Sequence, residues 1–220
     1  MKINLITLSP YFYKDFLSLG IVKKAISLNK LEVNIIDLRD FSFDGKGRVD
    51  DTPYGGGAGM IIRPDVLYNA LKSIKEETYS IIMSASGKKY NHKKVIELSS
   101  KENITIICPR YEGFDERIVD FVDDEISVGD YILSSGDIPA LVLIDSLARQ
   151  VDGVLQNKDS LKEESFSDGV LEYPQYTKPV DFLGKTVPKI LTSGDHEKIK
   201  EYRKEIAMKK TRKNRKDLLL

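Results

Sequence analysis

The chain has 220 residues, of which 41% are hydrophobic and 31% charged, and its formal net charge is zero. No apolar run approaches the roughly 20 residues that cross a bilayer, and the first residues, MKINLITLSPYF, have too short an apolar stretch for a signal peptide. A single cysteine, Cys108, excludes an internal disulfide, so the composition predicts a soluble globular protein of the reducing cytoplasm.

The first 150 residues alternate short β-rich runs with helical patterns. Strands that alternate with helices indicate an α/β domain with a mostly parallel sheet. Strands are predicted over 3–8, 31–38, 79–84, 104–109 and 125–128, and helices over 11–28, 64–74, 92–100, 115–122 and 138–149. The predicted N-caps of three of these helices are Ser9, which is followed by Pro10, then Asn91 and Asp137.

The pattern changes after residue 151. Few apolar residues and no clear period predict a flexible interdomain linker over 152–168. A small, charged, helical domain is predicted over 169–220, with a helix cap inside TSGD at 192–195. The predicted organisation is therefore one α/β domain over 1–151, the linker and the small domain.

Charge is distributed unevenly along the chain. Between Glu197 and Asp217 there are ten Lys/Arg and four Asp/Glu, a net charge of +6, which leaves −6 on the remainder. A basic segment on an acidic body suits phosphate contact and predicts nucleic acid binding through one part of the chain. The alternative is a solvated helix with a frayed tail.

Three segments rich in Gly and Ser each follow a predicted strand: MSASGKK at 83–89, CPRYEG at 108–113 and SVGDYILSSGD at 127–137. In a parallel sheet these strand ends share one edge, where open α/β sheets bind ligands. Their main-chain groups can hydrogen-bond the polar edge of a nucleoside. The three segments together predict a ligand site at this edge.

Two further motifs lie near that site in the sequence. In RYEGFDER (110–117), Asp115 and Glu116 suit the first turn of a helix with Arg117 paired nearby, which leaves 111–113 facing the ligand edge. DDTPYGGGAGM at 50–60 is neither a P-loop nor a dinucleotide fingerprint. Its glycines allow close approach of the backbone, and a flexible surface loop is the alternative.

Several site classes are not indicated. His92 and His196 have no Cys or His at metal-ligand spacing, so no metal site is predicted. Cys108 ends an apolar strand and is interpreted as a buried small residue. No nucleophile elbow occurs, and Ser9-Pro10 stands where a nucleotide-dependent dehydrogenase would carry its glycine fingerprint.

Five motifs occur in a fixed order at close spacing: DDTPYGGGAGM, CPRYEGFDERI, SVGDYILSSGDIPALVLIDSLAR, EESFSDG and YPQYTKP. They resemble the bacterial tRNA (guanine-N1)-methyltransferase family, TrmD, of the SPOUT superfamily, over nearly the whole chain. The resemblance implies a domain with a C-terminal trefoil knot and a homodimer with shared active sites. It implies methyl transfer from S-adenosylmethionine to N1 of the guanosine immediately 3′ of the anticodon in tRNA, with no DNA or membrane partner. Mg²⁺ is a further candidate cofactor.

The resemblance also implies the residues of the cofactor pocket, which come from the three segments. These residues are Ser84, Gly87, Pro109, Tyr111, Glu112, Gly113, Ser127, Val128, Gly129, Asp130, Tyr131, Ile132, Leu133 and Gly136. Proline stands at 109 where glycine is usual, which removes one main-chain donor and leaves only the carbonyl to contact the cofactor.

Two residues are implied to act on the guanosine: Arg149, which meets the base and its phosphates, and Glu164, where the family usually has the aspartate that acts as general base. Asp168 is a second candidate for the base. Because Glu164 and Ser135 depart from the family pattern, a non-catalytic RNA-binding protein of the same fold is the alternative. The basic cluster predicts tRNA contacts at Lys209, Lys210, Arg212 and Lys213.

Overall fold

The computed structural model describes residues 1–155 and 164–219. The chain divides into two compact units, Met1–Gln156 and Asn157–Leu220, at a point inside the predicted linker. Of that linker, residues 156–163 lie outside the described part of the chain. Residues 164–168 form a turn, in which the Glu164 carbonyl accepts hydrogen bonds from the Ser167 amide at 3.3 Å and hydroxyl at 2.8 Å.

The first unit is built on a five-stranded sheet in which every neighbouring pair of strands is parallel, as predicted. The strands of this unit are β1 Lys2–Thr7, β2 Glu32–Asp37, β3 Asp50–Asp51, β4 Ile61–Ile62, β5 Tyr79–Lys89, β6 Asn103–Ile107 and β7 Asp124–Ser127. The sheet order is β2-β1-β6-β5-β7, and β3 and β4 form a separate antiparallel pair. Because β5, β6 and β7 are neighbours, the three Gly/Ser-rich segments come together at the carboxyl edge.

Five α-helices belong to this unit: α1 Lys14–Leu17, α2 Gly20–Ser27, α3 Pro64–Lys72, α4 His92–Ser99 and α5 Asp137–Gln150. The prediction of one helix over 11–28 is wrong. A 3-10 turn, Pro10–Tyr13, leads into α1, and the chain then breaks at Leu19, which is extended, and Gly20, at φ +55°. The apolar period continues across the break, but Gly20 adopts a left-handed conformation that interrupts the helix.

The hydrophobic core consists of two layers, one on each face of the sheet. Leu5 packs with α2, α4 and α5 on one face of the sheet, whereas the next residue, Ile6, packs with α3 on the other. Side chains of a strand alternate between faces, so a parallel sheet covered on both sides needs apolar residues in succession. In β1 all five residues of INLIT are buried, with Leu5 and Ile6 as the successive apolar pair and Asn4 and Thr7 as buried polar residues.

One of the three predicted N-caps, Asp137, is wrong, and Ser9 keeps its predicted position before Pro10 without a capping side-chain hydrogen bond. Asn91 caps α4 as predicted, accepting a hydrogen bond from the Lys94 amide. Ser9 makes no side-chain cap, and its Oγ instead accepts a hydrogen bond from Arg110 Nη1 at 3.0 Å. Asp137 is the first residue of α5, and its carboxylate is buried against Thr7 and Tyr13, which both donate hydrogen bonds to it.

The second unit contains less helix than predicted. An antiparallel pair, β8 Asp181–Phe182 and β9 Lys185–Thr186, is followed by α6, His196–Asn214. Asp195 caps α6 by accepting a hydrogen bond from the Lys198 amide, as TSGD predicted. An extended segment, residues 171–177, packs along α6, since Thr211 Oγ1 accepts a hydrogen bond from the Leu171 amide at 2.9 Å. Within the described residues, no helix is both long and apolar enough to span a membrane.

Candidate active site

A cleft of about 570 Å³ opens at the carboxyl ends of β5, β6 and β7. It lies between the irregular last part of β5, 83–89, which was predicted to follow that strand, and the two segments that follow β6 and β7. It contains twelve of the fourteen residues predicted for the cofactor pocket. These are Ser84, Pro109, Tyr111, Glu112, Gly113, Ser127, Val128, Gly129, Tyr131, Ile132, Leu133 and Gly136. The cleft therefore brings together residues that are up to 52 positions apart in sequence, from Ser84 to Gly136.

Gly87 and Asp130 do not line the cleft. A Cβ at Gly87 would lie 2.5 Å from the main chain of Glu125 and Ile126, so this glycine allows the first segment to pack against β7. Asp130 is exposed and forms an ion pair with Lys89 at 3.1 Å. Both residues support the segments rather than facing the cleft.

Gly136 holds the second and third segments together. Its amide donates a 2.7 Å hydrogen bond to the Pro109 carbonyl, and an added Cβ would lie 2.8 Å from Cys108 Cα and Pro109 Cδ. The Pro109 carbonyl was predicted to contact the cofactor, but it already accepts a hydrogen bond from the Gly136 amide. The close packing requires glycine at 136 although its φ is not left-handed.

Replacing Gly136 with alanine is expected to raise the Kd for S-adenosylmethionine about tenfold, because the new methyl group forces the two segments apart and overpacking of this kind costs about 1–3 kcal/mol. Calorimetric titration measures the change. The control is Asp130→Ala, which alters an exposed side chain of the same segment that does not line the cleft. Equal affinities for the two variants would contradict the role given to Gly136.

The glycine-rich segment 50–60 packs against the RYEG segment. The Glu112 amide donates to the Met60 carbonyl at 3.0 Å, and the Ile62 amide donates to the Gly113 carbonyl at 3.0 Å. A Cβ at Gly59 would meet the Glu112 side chain at 2.4 Å. Gly59 therefore allows the backbone of its segment to approach Glu112 closely, as the sequence predicted for these glycines.

Tyr111 has an unusual backbone conformation for its residue type. Its φ is +59°, in the left-handed region, and its side chain is half exposed at the cleft. Non-glycine residues with positive φ are uncommon and cluster at functional sites, where the surrounding structure maintains them. Tyr111 belongs to the turn 111–113, which the RYEGFDER motif predicted to face the ligand edge.

Ten residues line the cleft that the sequence had not assigned to it. In the sequence, the only indication that these residues belong to the site was that most of them neighbour assigned residues in the three segments. The clearest difference is Glu116, which was interpreted only as part of a helix start and lies on the cleft wall. The others are Met83, Ala85, Ser86, Arg110, Phe114, Ile126, Ser134, Ser135 and Pro139.

Cys108 is buried beneath the cleft. Its side chain is 1% exposed, and burial raises the pKa of its thiol well above the ordinary value, so the thiol stays protonated. This agrees with its interpretation as a small core residue rather than a nucleophile. Among the described residues no group of three His, Cys, Asp or Glu could hold a metal ion.

The two residues predicted to act on the guanosine belong to different units. Arg149 lies in the last turn of α5 in the first unit, and Glu164 begins the turn that opens the described part of the second unit. Neither lines the cleft. Asp168, the second candidate base, is exposed in the same turn as Glu164.

The four predicted tRNA contacts on α6 are not equivalent. Lys209, Arg212 and Lys213 are exposed. Lys210 is partly buried, and its Nζ donates a 3.2 Å hydrogen bond to the Glu172 carbonyl. Lys210 therefore attaches the extended segment to α6.

Comparison with known proteins identifies the family. The sequence profile of tRNA (Guanine-1)-methyltransferase TrmD matches residues 1–220. The chain is similar over its whole length to proteins named tRNA (guanine-N(1)-)-methyltransferase. It is 47% identical to that of Dictyoglomus turgidum, of which it covers 90%, and 48% identical to that of Metamycoplasma arthritidis, of which it covers 96%. The relative from Staphylococcus aureus is 43% identical, with 91% covered. The chain belongs to the TrmD family of tRNA (guanine-1)-methyltransferases.

Proposed function

We propose that this protein transfers a methyl group from S-adenosylmethionine to N1 of the guanosine immediately 3′ of the anticodon in tRNA. The observation that carries the proposal is the cleft at the carboxyl edge of the sheet, which gathers twelve residues of the family's cofactor motifs. Family membership over the full length supports the same reaction.

The residues of the cleft fit the cofactor. A volume of about 570 Å³ lies within the usual range for small-molecule sites of about 300–1,000 Å³. Among the described residues, the main-chain amides of 132–134 donate no hydrogen bond within the protein, so they can donate to a nucleoside. The carboxylates of Glu112 and Glu116 lie on the wall and suit a cationic sulfonium, which supplies the methyl group when bound.

The reaction requires removal of a proton from guanine N1, which is a poor nucleophile until that proton leaves. Glu164 is the proposed general base, and Arg149 stabilises the negative charge that grows on O6. Because the cofactor carries a reactive methyl group, the protein contributes positioning and proton transfer without a covalent intermediate. Mg²⁺, if used, would be held by Glu112.

The second unit is proposed to bind the tRNA through α6. Lys209, Arg212 and Lys213 are exposed on this helix and can contact phosphates. Because Lys210 donates a hydrogen bond to the Glu172 carbonyl, it is less available than these three residues to contact a phosphate.

The remaining features of the proposal concern architecture. Membership of the family supports a trefoil knot in the first unit, and the proposed bounds of that domain, the linker and the tRNA-binding domain are 1–151, 152–168 and 169–220. Ile138 and Val142, one turn apart on α5 and each 45% exposed, support a homodimer interface with shared active sites. A tRNA substrate and a free buried thiol support the cytoplasm as its compartment.

Incubation with labelled S-adenosylmethionine and unmodified tRNA tests the function. We expect one methyl group per tRNA, recovered as 1-methylguanosine, and no incorporation when adenosine replaces the guanosine 3′ of the anticodon. Binding of tRNA without methyl transfer would instead support the alternative, a non-catalytic RNA-binding protein.

A further inference from the structure

A second cavity, of about 370 Å³, lies entirely within the second unit, where the extended segment and the β8–β9 pair meet α6. Three tyrosines line it: Tyr173 and Tyr176 from the extended segment and Tyr202 from α6. Apolar side chains, including Val187 and Leu191, complete its walls. An aromatic cavity of this size can accept one flat ring system.

Arg203 of α6 gives the cavity its polar group. Its guanidinium carbon lies 4.4 Å from the centre of the Tyr173 ring. Its Nε is buried and has no hydrogen-bond partner among the described residues. A buried donor without an acceptor is destabilising by about 1–3 kcal/mol, so the protein holds this guanidinium beside the cavity at a cost to its own stability.

The charge of the lining defines the ligand further. Lys178 and Arg203 are cationic, and none of the described residues that line the cavity is a carboxylate. The cavity therefore favours an aromatic ligand that carries hydrogen-bond acceptors or negative charge. A nucleotide has both, since unstacked RNA bases stack on tyrosine rings and arginine planes, and their oxygens and phosphates accept hydrogen bonds.

We propose that this cavity binds one unpaired nucleotide of the tRNA, with its base stacked on a tyrosine and an oxygen accepting a hydrogen bond from the Arg203 guanidinium. The proposal rests on the proposed function, because it supposes that tRNA is the substrate. It adds a site that recognises a base to the phosphate contacts of the exposed lysines and arginines of α6.

The test compares Arg203→Met with Lys204→Met in the full chain. Both substitutions remove one positive charge from α6 and keep an unbranched side chain, but Lys204 is exposed and does not line the cavity. We expect tRNA affinity to fall about tenfold for Arg203→Met, as loss of one base contact predicts. This loss should persist over a series of increasing salt concentrations, whereas any loss for Lys204→Met should disappear as salt screens the charge.

Tyr176→Leu provides a second variant, because this ring is 48% exposed and its removal spares the contact between Arg203 and Tyr173. If Arg203→Met lowers the Tm, the comparison of Tyr176→Leu with the natural protein decides the question in the same assay. Affinities that match those of Lys204→Met for both cavity variants would overturn the proposal.

Two controls separate the possible failures. Methyl transfer by the natural protein tests the proposed function separately. If the natural protein methylates tRNA and both cavity variants bind tRNA normally, only the assignment of the cavity is overturned. Titration with guanosine and adenosine monophosphates tests a free nucleotide as the source. Binding of a monophosphate that Arg203→Met abolishes, with tRNA affinity unchanged, would also overturn the assignment to tRNA.

Discussion

Replacing Glu164 with alanine is expected to lower the single-turnover rate of methyl transfer by ~10²–10⁴-fold, the usual contribution of a general base, while the Kd for S-adenosylmethionine stays nearly unchanged. The loss follows because guanine N1 keeps its proton when no carboxylate takes it. Rapid-quench measurements with labelled cofactor give the rate, and equilibrium titration gives the affinity.

The Tm of the variant reports whether the turn at 164–168 is kept. Alanine preserves the Glu164 carbonyl, which accepts hydrogen bonds from Ser167. Asp168→Ala is the matched control, since it removes an exposed carboxylate four residues further along the same turn. Full activity in Glu164→Ala together with loss in Asp168→Ala would transfer the role of base to Asp168.

Replacing Asp137 with alanine is expected to lower the free energy of unfolding by about 3 kcal/mol, because two buried donors lose their common acceptor. Thr7 Oγ1 and Tyr13 OH donate to the same Asp137 oxygen at 2.6 and 2.7 Å. Burial raises the pKa of Tyr13, so its hydroxyl stays protonated and donates. Urea denaturation followed by circular dichroism measures the change.

Asp145→Ala is the control for Asp137→Ala. Both residues are aspartates of α5, but Asp145 is exposed, so its replacement should change stability by no more than about 0.5 kcal/mol. Comparable unfolding free energies for the two variants would show that the buried carboxylate is not a stabilising acceptor. Since Gly136 and Pro139 flank Asp137 and line the cleft, the same variant should also bind the cofactor more weakly.

Local patterns predicted the secondary structure where the decisive interactions are close in sequence. The strands β1, β2, β5, β6 and β7 and the Asn91 and Asp195 caps follow from residue alternation and from side chains that bond the amide three positions ahead. The break of the predicted helix 11–28 was also local, and it was signalled by Gly20. The alternation of strands and helices predicted the parallel sheet and the edge on which the cleft lies.

Sequence by itself determined the family, the five strands of the parallel sheet and the three segments that form the cleft, because motif order and periodicity are properties of neighbouring residues. Only the tertiary structure decided the use of residues whose partners are distant. Asp137, predicted to be a cap, is a buried acceptor for Thr7, 130 residues away. Gly87 packs against β7 rather than facing the cleft, and Lys210, predicted to contact tRNA, donates a hydrogen bond to a carbonyl 38 residues away. No local pattern reports such contacts, since they depend on which chain segments the completed fold brings within hydrogen-bond distance.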